Sequence, residues 1–183
     1  MFIQTETTPN PSTLKFIPGE DVLGSGTANF TDKEAAGKSP LATAIFGINN
    51  VVGVFLGSDF ITVTKSESSD WSTLKTEVLT TIMEHYVAGK PIMLENGQVA
   101  EKADDSNDSE VVKQIKELIE TRVRPSVAQD GGDIIFRSFE DGVVKLELHG
   151  SCSGCPSSTI TLKNGIENML KHYVPEVESV EQI

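Results

Sequence analysis

Between residues 95 and 108 the apolar patterning of this 183-residue chain collapses. Asn96-Gly97, the run Ala103-Asp104-Asp105-Ser106-Asn107-Asp108 and the surrounding acidic residues leave almost nothing to bury. Such a segment cannot offset its ordering entropy with a core, and its like charges push it towards extended forms. Helical periodicity restarts on its far side. The break therefore predicts two separate cores: residues 1–94, a flexible acidic linker at 95–108, and residues 109–183. Each half reads as a small α+β domain.

Charge follows the same division. The formal net charge is -12, and counting along the chain assigns -4 to residues 1–94, -5 to 95–110 and -3 to 111–183. An acidic chain lacks the Lys/Arg surplus that holds phosphates, which argues against nucleic acid as a partner. The same balance argues against an anionic membrane surface. No apolar run has the length of a bilayer-spanning helix. Met1–Glu6 shows neither a basic-then-apolar pattern nor the arginines of a transit peptide, so no targeting segment is expected there.

In the first half, Phe2–Thr7 and Thr13–Ile17 are β-branched and aromatic runs around the turn cluster Thr8-Pro9-Asn10-Pro11-Ser12. Ala28–Thr31 reads as a third strand. Ser39-Pro40 is a helix start, with Leu41, Ala44, Ile45 and Ile48 as the apolar face. Val51–Leu56 and Phe60–Lys65 form a hairpin across Gly57-Ser58-Asp59. Asp70 caps a longer helix with Trp71, Leu74, Val78, Ile82 and Tyr86 inward, stopped by Gly89 and Pro91. The order is βββαββα. Phe2 and Trp71 are assigned to the core rather than to a docking surface.

In the second half, Ser109 caps a helix carrying Val111, Val112, Ile115, Leu118, Ile119 and Val123, which Pro125 should kink or end. Asp133–Phe139 and Val143–His149 are strands joined by a tight Asp141-Gly142 turn, which makes them antiparallel. Val144, Leu146 and Leu148 alternate with Lys145, Glu147 and His149, giving one core face and one wet face. Pro156 opens a helix with Leu162, Ile166, Met169, Leu170 and Tyr173 inward. Glu176–Ile183 adds an edge strand, and the order is αββαβ.

Between the last long strand and the last helix lie the only two cysteines, in His149-Gly150-Ser151-Cys152-Ser153-Gly154-Cys155-Pro156. This spacing lets both sulfurs face one point, as a metal ion, a cluster or a disulfide requires. A single close pair is no disulfide framework, so a reducing compartment fits. A helix N-terminus beside the thiols would favour thiolate over thiol. A pair of plain turn thiols is the bland alternative. Three chemistries stand against it. A thioredoxin-like dithiol oxidoreductase shares strand, CxxC and helix, but the Asp-Gly hairpin replaces the parallel lead-in and no aromatic precedes Cys152. A zinc-bridged structural dimer would need four ligands, and one chain offers the two sulfurs plus His149 and His172 at most; both histidines read as surface residues. An iron–sulfur cluster takes four thiolates as a rule, so two chains would each donate Cys152 and Cys155 at a symmetric contact. A cluster held at such a junction is easily surrendered, which is the behaviour of a carrier.

The residues of this loop also carry a resemblance. Gly150-Ser-Cys152-Ser-Gly-Cys155-Pro156-Ser-Ser with Thr161-Leu162-Lys163 and Gly165-Ile166-Glu167, preceded by Arg124-Pro125 and Asp130-Gly131-Gly132-Asp133-Ile134, resembles the C-terminal domain of NifU and of Nfu-type iron–sulfur scaffold proteins. Phe2–Pro11 with Leu14-Lys15-Phe16 resembles the Nfu N-terminal domain. The resemblance implies a non-enzymatic scaffold whose CxxC cysteines, here Cys152 and Cys155, hold a 4Fe-4S cluster (a 2Fe-2S cluster is the other nuclearity) between two subunits. It implies a homodimer when loaded, upstream cluster-assembly proteins, and delivery to apo-proteins such as lipoate synthase or aconitase-type enzymes. It places the chain in a bacterial cytoplasm, or in the mitochondrial matrix if this is a trimmed mature form.

Overall fold

The computed structural model describes residues 1–95, 108–153 and 156–183. The chain divides into two compact units, Met1–Glu101 and Lys102–Ile183. Both are α+β. Most of the expected linker, and Cys155, lie outside the described residues.

The first unit is a five-stranded antiparallel sheet backed by helices. Its strands are β1 (Gln4–Thr7), β2 (Thr13–Ile17), β3 (Ala28–Phe30), β4 (Val51–Leu56) and β5 (Ile61–Lys65), in the spatial order β1-β2-β5-β4-β3. The β1–β2 turn is tied by Asn10, whose Oδ1 accepts from Ser12 N at 3.0 Å, and by Thr8, whose hydroxyl donates to Asn10 O. Asn and Thr favour such turns because their side chains can replace backbone partners. Helix α1 (Lys33–Ala36) is one turn long, capped by Asp32, and escapes the apolar periodicity because so short a piece has none. Helix α2 (Pro40–Phe46) starts at the Ser39 cap, whose oxygen accepts from Ala42 N and donates to Ile92 O. Its inward face is Leu41, Ala42, Ile45 and Phe46; Ala44 points out instead. Helix α3 (Trp71–Val87) ends before Gly89, whose φ of +63° is the left-handed stop. Leu74, Val78 and Ile82 are buried with Phe16, Leu41, Ile45, Leu56, Ile61 and Val63. Trp71 and Tyr86 are only half-buried against this core, while His85 is buried. Phe2 is 78% exposed and belongs to no core. It lies before the start of β1, outside the paired part of the sheet.

The second unit begins with α4 (Glu110–Leu118), capped by Ser109. The helix does not stop at Pro125. It passes through one wide turn, Ile119–Val123, in which Arg124 N bonds to Ile119 O five residues back, and continues as α5 (Arg124–Gln129). Proline cannot donate and its ring crowds the carbonyl four residues before it; widening the turn that leads into Pro125 resolves both problems. Strands β6 (Gly132–Glu140) and β7 (Val143–Gly150) pair antiparallel across Asp141-Gly142. Helix α6 (Pro156–Tyr173) then carries the chain back to β8 (Ser179–Gln182), which pairs parallel with β7. The sheet order is β6-β7-β8, so β7 is central. Val144, Leu146 and Leu148 face the core with Ile115, Ile119, Val127, Ile134, Ile166 and Leu170. Tyr173 is exposed and lies under the Arg122 guanidinium at 4.9 Å instead of joining the core. Among the described residues no helix is long and apolar enough to cross a membrane.

Candidate metal centre

The cysteine turn leaves the C-terminal end of the central strand. Gly150, the last residue of β7, has a φ of +66°, a conformation that side chains resist, and this bends the chain out of the sheet. Ser151 is buried. Its hydroxyl donates to Asp130 O and its amide to Gly131 O at 3.2 Å, so the turn is fastened to the end of α5. Ser153 folds back with amide and hydroxyl on Gly150 O, at 3.1 and 2.9 Å. From the first turn of α6, Thr159 donates to Cys152 O at 3.2 Å. Small hydroxyl residues here serve as backbone staples. Their spacing in the sequence suggested only a turn.

Cys152 is 7% exposed and sits within the apolar cluster. Burial pushes its thiol up to about 11, the carboxylates of Asp130 and Asp133 add to the effect, and a hydrogen bond with the Ser151 side chain opposes it. This corrects the expectation that a helix N-terminus makes Cys152 a ready thiolate. The sulfur faces the core, where desolvation of the anion outweighs a dipole acting at a distance. A metal that takes this sulfur must displace its proton, as coordination to a thiol does.

Beside the turn lies an ion-pair network built on Arg124, Asp133 and Glu120. Arg124, the first residue of α5, donates Nε to Asp133 Oδ1 and Nη2 to Asp133 Oδ2, both at 2.9 Å, and Nη1 to Glu120 Oε2 at 2.7 Å. Asp133 is 3% exposed and also accepts from Ile134 N. The Asp133 hydrogen bonds hold the guanidinium still further above its already high range, against burial. The two-pronged geometry is the strong form of such a pair. It clamps the start of β6 to the start of α5, while Ser151 is fastened just past the end of α5. The available signal was an aspartate opening an apolar run, Asp133-Ile134-Ile135-Phe136, where an unpaired carboxylate would be costly.

The histidines weighed as zinc ligands are otherwise engaged. His149 Nε2 lies 2.6 Å from Glu147 Oε1, its side chain 12% exposed rather than on the open surface expected, and Glu147 also accepts from Arg137 Nε at 2.7 Å. The His149 contact, then burial opposing it and Arg137, set Glu147, with the net direction below the usual glutamate range. His172 is exposed at the end of α6, its ring edge-on to Tyr173. Among the described residues no three of His, Cys, Asp and Glu are grouped to hold a metal.

Residues 3–89 match the family described as "Scaffold protein Nfu/NifU N terminal", and residues 115–181 match "NifU-like domain". A human protein named "NFU1 iron-sulfur cluster scaffold homolog, mitochondrial" is 55% identical over 184 residues, covering all of this chain and 72% of its own length. The chain belongs to the Nfu family of iron–sulfur cluster scaffold proteins. A Drosophila persimilis protein of the same name is likewise 55% identical, and the chain spans 65% of its length. The solution structure of a NifU-like protein from Saccharomyces cerevisiae, 28% identical, covers 52% of this chain and 87% of that one at a TM-score of 0.47. The β7–α6 turn and the Arg124–Asp133 ion pair both fall within the span matched by the NifU-like domain.

Proposed function

We propose that this Nfu-family chain receives an iron–sulfur cluster through Cys152 and Cys155 and passes it to apo-proteins, with no turnover chemistry of its own. The observation that carries the reading is the cysteine turn itself. A chain of a cluster-scaffold family has Cys152 at the end of a central strand, on a backbone stapled by Ser151, Ser153 and Thr159, and its second cysteine three positions on in the sequence. Sulfur donors suit iron, and four thiolates normally complete a cluster site. The whole chain has two cysteines. Two copies therefore supply one 4Fe-4S cluster at a shared edge, and each chain exists as a homodimer when loaded. Residues 109–183 carry the cargo, residues 1–94 meet clients or assembly factors, and residues 95–108 tether the two. Relatives named as mitochondrial at 55% identity favour the mitochondrial alternative over a bacterial cytoplasm.

Anaerobic reconstitution with ferrous iron and sulfide tests this. The expected result is broad visible absorption, about two irons per chain for a shared four-iron cluster, and a dimer that reverts to monomer when the cluster is removed. Cys152→Ser and Cys155→Ser should each lose the iron and keep their circular dichroism. A colourless monomer that reduces disulfides would favour the dithiol reading instead; zinc retained in the dimer would favour the structural one.

A further inference from the structure

Gly132 opens β6 opposite Gly150 and is buried. Its backbone is not among the left-handed glycines, so conformational freedom does not explain it. Space does. A Cβ at this position would lie 2.6 Å from Cys152 Sγ, 2.8 Å from His149 O and 3.2 Å from Cys152 Cβ. The first two separations are shorter than non-bonded atoms tolerate, so a side chain at 132 and the Cys152 sulfur compete for one volume. The backbone on both sides of that sulfur is held: Ser151 to Asp130 and Gly131, Cys152 O by Thr159. Rotation about the Cys152 Cα–Cβ bond is the motion left to it.

We infer that Gly132 is a positioning residue for the Cys152 sulfur: the absent side chain provides an inward seat, which the sulfur leaves by rotation to meet cargo at the surface. The final step rests on the carrier reading; the seat does not. The seat explains how a ligand thiol can be 7% exposed. It also separates two properties of one atom. Inward, the sulfur is shielded from oxidants and alkylating agents. Outward, it is available to iron. Filling position 132 should fix the balance outward.

The test uses the full-length, chelator-treated chain under anaerobic conditions. In a Cys155→Ser background only Cys152 can react with iodoacetamide. Gly132→Ala should raise its alkylation rate about fivefold or more, at a temperature where both chains are folded by circular dichroism. In parallel, the thermal midpoint of the second unit is compared for Gly132→Ala, Cys152→Ala and the pair. Gly132→Ala should lower the midpoint by roughly 5 °C or more, and Cys152→Ala should return about half of that loss by removing the competing sulfur. If Gly132→Ala alone fails to fold, both variants are compared in a stabilising osmolyte: a double variant more stable than Gly132→Ala supports the seat, and an equally unstable one overturns it. An unchanged alkylation rate, or the same loss with and without the sulfur, also overturns it. Failure of the carrier reading would appear elsewhere, as a wild-type chain that retains no iron while the alkylation contrast persists.

Discussion

Replacing Arg124 with leucine should expose how strongly the second unit depends on its buried carboxylate. Asp133 is 3% exposed and accepts two guanidinium hydrogen bonds at 2.9 Å. Arg124→Leu keeps an apolar stem but removes both charged donors. Breaking one side of a buried pair costs about 3–5 kcal/mol, because the remaining charge is left desolvated. Here the lower end applies. The Arg124 side chain is 27% exposed, so water can approach, and Asp133 keeps the Ile134 amide. A loss of about 3 kcal/mol corresponds to roughly 12 °C or more in a domain of this size. Asp133→Asn added to Arg124→Leu removes the stranded charge, and the double variant should recover a substantial part of the loss. The assay is calorimetry of the full chain, with the first unit's transition as an internal reference. A single variant within 1 kcal/mol of wild type, or a double variant no more stable than the single, would refute the view that a desolvated charge governs this corner.

Two further outcomes concern the first unit. Ser39 is fully buried, caps α2 and donates to Ile92 O at 2.5 Å; Ser39→Ala should cost about 1–2 kcal/mol, read as a lower melting midpoint of that unit alone. His85 is buried with Nε2 3.0 Å from Pro91 O, and burial holds its pKa below 6.5. The unfolded chain therefore takes the proton more readily, so this contribution is complete above pH 6.5 and fades as pH falls below it. Urea unfolding followed by the single tryptophan, Trp71, should show lower stability at pH 5 than at pH 7.5, and His85→Gln should flatten the difference. Identical slopes in the two chains would contradict this.

Much of the fold is legible in local patterns. The caps at Ser39, Asp70 and Ser109, the stop at Gly89 and the Asp141-Gly142 hairpin were readable because each depends on a few adjacent residues satisfying their own backbone groups. Alternation along Val143–Gly150 named its core face correctly for the same reason. Periodicity failed where helix ends or neighbouring layers decide. Ala44 and Tyr173 lie on the apolar stripe yet face outward, and His85 lies beside it yet is buried. Pro125 announced a kink or an end, and left open which; the helix continues through a widened turn. The parallel pairing of β8 with β7 was likewise not readable, since it follows from where α6 packs.

The amino-acid order by itself determined that this chain has two thiols with two residues between them, after a strand pattern and before a helix pattern, and that an acidic stretch poor in apolar residues lies between two regions of α+β patterning. Those are properties of neighbours in the chain. Only the folded structure decided what surrounds Cys152. Asp130, Gly132 and Asp133 are about twenty residues away in sequence and reach it through the β6–β7 pairing. That pairing turns the thiol inward and raises its affinity for a proton, because desolvation and packing act through space rather than along the backbone.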